Sequence, residues 1–71
     1  MIKLFSKPNC HYCDKVKTFI KDNNISGVEY DETGNVEEVR KHGGMQFPML
    51  LVEDQGIFGS DTIIQILEQL K

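Results

Sequence analysis

Cys10 and Cys13 are the only cysteines of the chain, and two residues separate them in Pro8-Asn9-Cys10-His11-Tyr12-Cys13. A pair this close has three uses: half of a metal site, a local disulfide, or thiol–disulfide chemistry. A structural zinc normally takes four ligands. The further candidates are His11, His42 and carboxylates, and His11 lies between the cysteines, poorly placed to share an ion with them. A bridge between residues three apart closes a very short loop and constrains the unfolded chain little, so it makes a poor staple. Packing as two small core residues accounts for Cys13 and leaves Cys10 unexplained. A Cys-x-x-Cys beside a strand–helix unit is the sequence context of redox motifs, which makes thiol exchange the favoured reading. From another functional class, the alternative is a binding module carrying zinc, or an iron–sulfur cluster bridged between two chains through Cys10.

The elements around the pair must hold one sulfur out and the other in. Ile2 to Ser6 is apolar-rich and stopped by Lys7-Pro8-Asn9, a strand followed by a turn. The period then changes: Tyr12, Val16, Phe19 and Ile20 recur at helical spacing, opposite Asp14, Lys15, Lys17, Lys21 and Asp22. Cys10 therefore sits at a helix N-terminus, where unpaired N–H groups and a partial charge of about +0.5 stabilise a thiolate and lower the pKa of a thiol. Cys13 falls one turn in, on the stripe of Val16 and Ile20, and is expected to be more buried and less reactive. The pattern makes Cys10 an attacker and keeps Cys13 in reserve.

Downstream, Val28-Glu29-Tyr30 alternates as a second strand, with Val28 and Tyr30 facing the core. Asn35 followed by Glu38 has the form of a capping box and opens a short helix through Arg40 or Lys41, ended by Gly43-Gly44, with Val36 and Val39 as its apolar face. Met49-Leu50-Leu51-Val52 reads as a strand buried on both faces. Glu53-Asp54-Gln55-Gly56 is a turn, and Ile57-Phe58 pairs back as a hairpin. Ser60 or Asp61 caps a last helix with Ile63, Ile64, Leu67 and Leu70 inward. The order is βαβαββα in a single α/β domain spanning residues 1–71, with no internal repeat or linker.

Size and charge narrow the function. A chain of 71 residues buries only about 60% of the surface its unfolded form exposes. The net charge is −3, with both signs mixed along the chain and no Lys/Arg cluster, which argues against nucleic-acid binding. No apolar run approaches the roughly 20 residues that span a bilayer. The opening Met-Ile-Lys-Leu-Phe lacks a signal-peptide layout and predicts a cytoplasmic protein. In that reducing compartment a close cysteine pair is more often catalytic or metal-binding than structural.

Three segments, in order and at matching spacing, resemble the glutaredoxin family over nearly the whole chain. Leu4-Phe5-Ser6-Lys7-Pro8-Asn9-Cys10-His11-Tyr12-Cys13 is similar to its active-site strand–turn–helix. Gln46-Phe47-Pro48 stands in the place of its Thr-Val-Pro, and Gly59-Ser60-Asp61 resembles the Gly-Gly-Ser-Asp before its last helix. The resemblance implies a minimal thioredoxin fold, with a four-stranded mixed sheet ordered 2-1-3-4 and helices on both faces. It implies a dithiol–disulfide oxidoreductase in which Cys10 attacks and Cys13 resolves. It further implies glutathione as the reducing co-substrate, with no metal expected, and the chain is expected to act as a monomer. Disulfide-containing and glutathionylated proteins are the implied substrates, ribonucleotide reductase among them.

Site residues follow by the same likeness. Pro48 takes a cis peptide bond facing the cysteines and turns the backbone of Phe47 outward to pair with a peptide or glutathione. Lys7 meets a carboxylate near Cys10, and Arg40 contacts the glycyl carboxylate. The backbone of Ser60 at the last helix receives the γ-glutamyl carboxylate, as helix N-termini receive anions, and Asp61 accepts the ligand's amino group. Tyr12 and Phe47 form part of the docking surface. The chain departs from the pattern at His11, where the family has proline, at Gln46-Phe47, and at Phe58, which replaces the first glycine and is expected to narrow the groove. His11 as a cation favours a neighbouring thiolate. A nearby alternative is a glutaredoxin-like redoxin reduced by thioredoxin reductase.

Overall fold

The structure, a computed structural model, describes residues 2–70. Four strands and three helices follow one another as β1 (Ile2–Phe5), α1 (His11–Asp22), β2 (Val28–Asp31), α2 (Val36–Lys41), β3 (Met49–Val52), β4 (Gln55–Phe58) and α3 (Ser60–Leu70). The sheet order is β2-β1-β3-β4. β1 runs parallel to β2, with Leu4 opposite Tyr30, and antiparallel to β3, with Leu4 opposite Leu50. The β1-α1-β2 unit is a parallel crossover, which requires an intervening element such as a helix. The β3-β4 pair is a hairpin. The expected mixed sheet, its order and its helices on both faces are present.

Strand alternation sends successive side chains to opposite faces, so the sheet carries two apolar clusters. On one face Leu4 and Leu50 meet Val16 and Ile20 of α1 and Ile63 and Leu67 of α3, all buried. On the other, Phe5 and Met49 meet Val39, the one buried residue of α2, with Phe47, Leu51 and Phe58 packed against them. Val36 is exposed, so the apolar face of α2 is narrower than the sequence suggests. Tyr30 and Leu70 are also exposed rather than inward. Tyr30 lies on an edge strand and Leu70 on the last helical turn, where fewer neighbours are available to cover a side chain.

Two boundaries differ from expectation. The hairpin turn is tighter than the four-residue signal implied: Val52 pairs with Gln55, and Glu53-Asp54 alone connect the strands, with Glu53 at a left-handed φ of 55°. In α3 the cap is Gly59 rather than Ser60 or Asp61. Gly59 has φ 88°, which glycine alone adopts without steric cost, and its carbonyl accepts the first helical bond from Ile63 N–H at 3.0 Å. Ser60 is thereby the first helical residue.

Candidate active site

The turn after β1 ends with Asn9 in the left-handed region, φ 58°, a conformation asparagine tolerates better than most residues. It delivers Cys10 to the N-cap of α1, with φ −110° and ψ 107°. The Cys10 carbonyl accepts the N–H of Asp14 at 3.1 Å, and its sulfur accepts the N–H of Cys13 at 3.2 Å. The sulfur thus takes the capping role usually given to a serine or aspartate oxygen. Cys10 and Cys13 form a disulfide, with Cα atoms 5.2 Å apart. Cys10 is 7% exposed and Cys13 fully buried on the stripe it shares with Val16 and Ile20. With the bond closed both cysteines are buried, and Cys10 is the one that keeps some exposed surface.

The loop from Asp31 to Asn35 braces the strand end that leads to the cysteines. Ser6 N–H donates to the Asp31 carbonyl at 2.8 Å, and Gly34 N–H donates to the Ser6 carbonyl at 3.0 Å. The Asp31 carboxylate accepts the Thr33 hydroxyl at 2.6 Å and the Thr33 N–H at 3.1 Å, and its other oxygen accepts the Asn35 amide at 3.3 Å. The Thr33 hydroxyl and then the Thr33 N–H lower the Asp31 pKa from its ordinary 3.8; burial opposes them less strongly, and the Asn35 amide and the charge of Lys3 add smaller lowering effects. Asn35 also caps α2 through the N–H of Glu38 at 3.3 Å, the capping half of the expected box.

Beside the cysteines lies a cleft of about 380 Å³ lined by Tyr12, Gln46, Phe47, Pro48, Gly59, Ser60, Asp61 and Thr62. It joins three segments that are remote in sequence: the first turn of α1, the loop entering β3, and the first turn of α3. The Phe47–Pro48 bond is cis and Pro48 is buried. Tyr12 is 60% exposed, so its place on the helical stripe marks a surface residue of the cleft and not a core residue. The helix geometry leaves the N–H groups of Ser60, Asp61 and Thr62 without carbonyl partners inside α3, and they carry the positive end of its dipole.

Of the residues singled out in the sequence, Tyr12, Phe47, Pro48, Ser60 and Asp61 meet in this cleft. Lys7 stands at its margin, its ammonium 5.9 Å from the centre of the Phe47 ring. Arg40 is exposed on α2 and does not line the cleft. Phe58 does not narrow it either. Phe58 pairs with Met49 in register and shares its face, so the ring turns to the α2 side and covers Gly44. His11 is exposed and meets Tyr12 edge-on, ring centres 5.7 Å apart. Thr62 is a cleft residue that sequence reasoning missed; with Gly59 as the cap it belongs to the same first turn as Ser60 and Asp61. Missed too is the ion pair of Asp61 with Lys15 of α1, at 3.0 Å. Among the described residues no group of three or more His, Cys, Asp or Glu is arranged to hold a metal. Among them, too, no helix is long and apolar enough to cross a membrane.

Residues 2–57, from β1 through the cysteine pair to β4, match the glutaredoxin family. The chain belongs to that family. Glutaredoxins are thiol–disulfide oxidoreductases, and the closed Cys10–Cys13 pair at a helix mouth is the redox-active arrangement such an activity requires. Among solved structures, the chain is similar to the thioredoxin-like protein BC3987, with a TM-score of 0.73 and 24% identity over the full length of both chains. A mutant of that protein gives a TM-score of 0.74 at 23% identity, covering 99% of this chain and 97% of the other. At that identity the likeness establishes the thioredoxin-like fold alone. No curated protein matches the chain significantly.

Proposed function

We propose that this glutaredoxin reduces protein disulfides and glutathione mixed disulfides with glutathione as its electron source, in a reducing cytoplasm. The observation that supports the reading is the placement of a capping sulfur, Cys10, beside a cleft lined by Phe47 and the cis-bonded Pro48, with the N-terminus of α3 on its other side. Glutathione offers a thiol flanked by carboxylates, and helix N-termini with nearby cations bind carboxylates. In this reading the N–H groups of Ser60 and Asp61 take the γ-glutamyl carboxylate and Asp61 takes the amino group. Lys7, at the margin of the cleft, takes a further carboxylate.

In the reduced enzyme, the Cys10 thiolate accepts the Cys13 N–H and is stabilised by the field of α1. It attacks one sulfur of the substrate disulfide; a Cys10–substrate disulfide forms and the other substrate sulfur leaves as a thiolate that takes up a proton. Cys13 gives up its proton and attacks the Cys10 sulfur, closing Cys10–Cys13 and releasing the second substrate thiol. Two electrons have then passed to the substrate. One glutathione thiolate reopens the bond at Cys10 and frees Cys13. A second attacks the bound glutathione sulfur, leaving as oxidised glutathione and restoring the Cys10 thiolate. Disulfide-bearing enzymes such as ribonucleotide reductase are fitting acceptors.

The test compares turnover on a small glutathione mixed disulfide with two reducing systems, glutathione with glutathione reductase and thioredoxin reductase alone. Turnover with the first, abolished in Cys10→Ser, is the expected result. Turnover with thioredoxin reductase alone would assign the protein to the redoxin class instead, and inactivity with both would remove the reading.

A further inference from the structure

Ser6 is completely buried at the end of β1, and its hydroxyl is the one buried side-chain polar atom without a hydrogen-bond partner among the described residues. Its backbone is fully engaged: the N–H donates to the Asp31 carbonyl at 2.8 Å, and the carbonyl accepts the Gly34 N–H at 3.0 Å. The strand end is therefore fixed and the hydroxyl alone is left open. Such a group has lost its hydration without a compensating bond, which folded proteins rarely tolerate. Its position says what it faces. Side chains alternate along a strand, so Ser6 shares the face of Leu4, which packs against Val16 and Ile20 of α1. α1 runs back along the sheet between the parallel strands β1 and β2, so its first turn lies beside the end of β1. Cys13, fully buried one turn before Val16, is the residue of that stripe which this places beside Ser6. The β1–β3 register carried one step past Phe5–Met49 sets Pro48 opposite Ser6, and Pro48 has no N–H to offer.

In the closed disulfide the Cys13 sulfur carries no charge and needs no donor. Once the bond opens, the same buried sulfur must become a thiolate to act, since the thiolate is the nucleophile. We propose that the Ser6 hydroxyl donates a hydrogen bond to Cys13 Sγ when the disulfide is open and so favours the thiolate that resolves the mixed disulfide. The inference rests on the proposed order of attack, Cys10 first and Cys13 second, and not on glutathione. In the resolving step Cys13 releases its thiol proton to solvent and its sulfur attacks Cys10 Sγ. The Cys10–substrate bond breaks, the Cys10–Cys13 bond forms, and the substrate sulfur leaves as a thiolate that takes up a proton from solvent. Ser6 keeps its own proton throughout. Hydrogen bonds to charged groups are the stronger class, so the effect falls on this step rather than on the fold.

The experiment mixes the reduced protein with an equimolar amount of dithiobis(nitrobenzoate) across a pH series and follows the coloured thiolate released. The first release reports attack by Cys10, and the second reports closure by Cys13. Ser6→Ala is expected to leave the first phase within about two-fold and to slow the second about five- to ten-fold, the effect of one hydrogen bond to a charged group. The pH midpoint of the second phase is expected to rise by about one unit. Ser6→Thr keeps the hydroxyl and is expected to keep the fast second phase. Oxidised Ser6→Ala is expected to resist denaturant at least as well as the wild type, because the alanine removes an unpartnered buried hydroxyl. A purely structural role would instead weaken the oxidised protein and slow both phases together. An unchanged second phase in Ser6→Ala, or equal slowing in Ser6→Ala and Ser6→Thr, overturns the donor role and leaves the order of attack intact. A first phase as fast in Cys10→Ser as in the wild type overturns that order, and the donor role with it.

Discussion

The two faces of the sheet are built to different depths. Under α1 and α3, four helical side chains (Val16, Ile20, Ile63 and Leu67) close over Leu4 and Leu50, ringed by half-buried residues such as Ile2, Phe19, Val52 and Ile57. Under α2, Val39 alone comes down from the helix onto Phe5 and Met49, and the rest of the cover is the aromatic pair Phe47 and Phe58 with Leu51. The deep face fixes where two helices begin, and their first turns carry Cys10 and Ser60. The shallow face fixes only the segment that presents Phe47 and Pro48. Stability is therefore concentrated on one side of the sheet, while the cleft draws on both.

The largest expected effect tests this division. Leu67→Ala on the deep face is expected to cost about 2–5 kcal/mol, a large share of the stability of so small a domain. Val39→Ala on the shallow face removes two methyl groups and is expected to cost about 1–2 kcal/mol. Denaturant unfolding of the oxidised proteins reads both, and equal losses would break the comparison.

A sharper probe is Gly44→Ala. A Cβ there would fall within the Phe58 ring, so the ring or the chain leading to Gln46-Phe47 must shift. Overpacking of this kind costs about 1–3 kcal/mol. The variant is expected to raise KM for glutathione-linked disulfides more than Val39→Ala does, because the displaced segment is a wall of the cleft. In a Phe58→Leu background the same alanine is expected to cost less, since neighbouring changes couple. Additive losses would show that Phe58 and Gly44 do not press on one another.

The smallest effect concerns pH. The folded-state pKa of Asp31 lies below its ordinary 3.8, so the ionised group stabilises the fold above that value. The contribution is lost as pH falls through the lowered folded pKa, because the unfolded chain then binds more protons. Asp31→Asn is expected to be less stable than wild type at neutral pH and to show a shallower loss of stability below about pH 4. Parallel acid-unfolding curves would contradict the brace assigned to this carboxylate.

Much of this was readable in advance because it rests on local patterns. Periodicity located the helices and strands, and Pro8 and the change of period placed Cys10 at a helix mouth. The resemblance around Gln46-Phe47-Pro48 and Gly59-Ser60-Asp61 anticipated two walls of the cleft. What escaped was decided by backbone angles or by distance along the chain. The left-handed φ of Gly59 put the α3 cap before Ser60 and made Ser60 the first helical residue. Strand register, and not residue size, sent Phe58 away from the groove. The sequence placed Lys15 on the polar side of α1 and Asp61 at the start of α3, and only the packing of α1 beside α3 brought them together.

The central claim is that the helix mouth makes the two sulfurs chemically unequal. It is tested most directly by alkylating the reduced protein across a pH series and mapping the label to each cysteine. Cys10 is expected to react first, with an apparent pKa below that of a free thiol, while Cys13 lags at every pH. Equal rates at the two positions, with Cys10 titrating like free cysteine, would contradict the account.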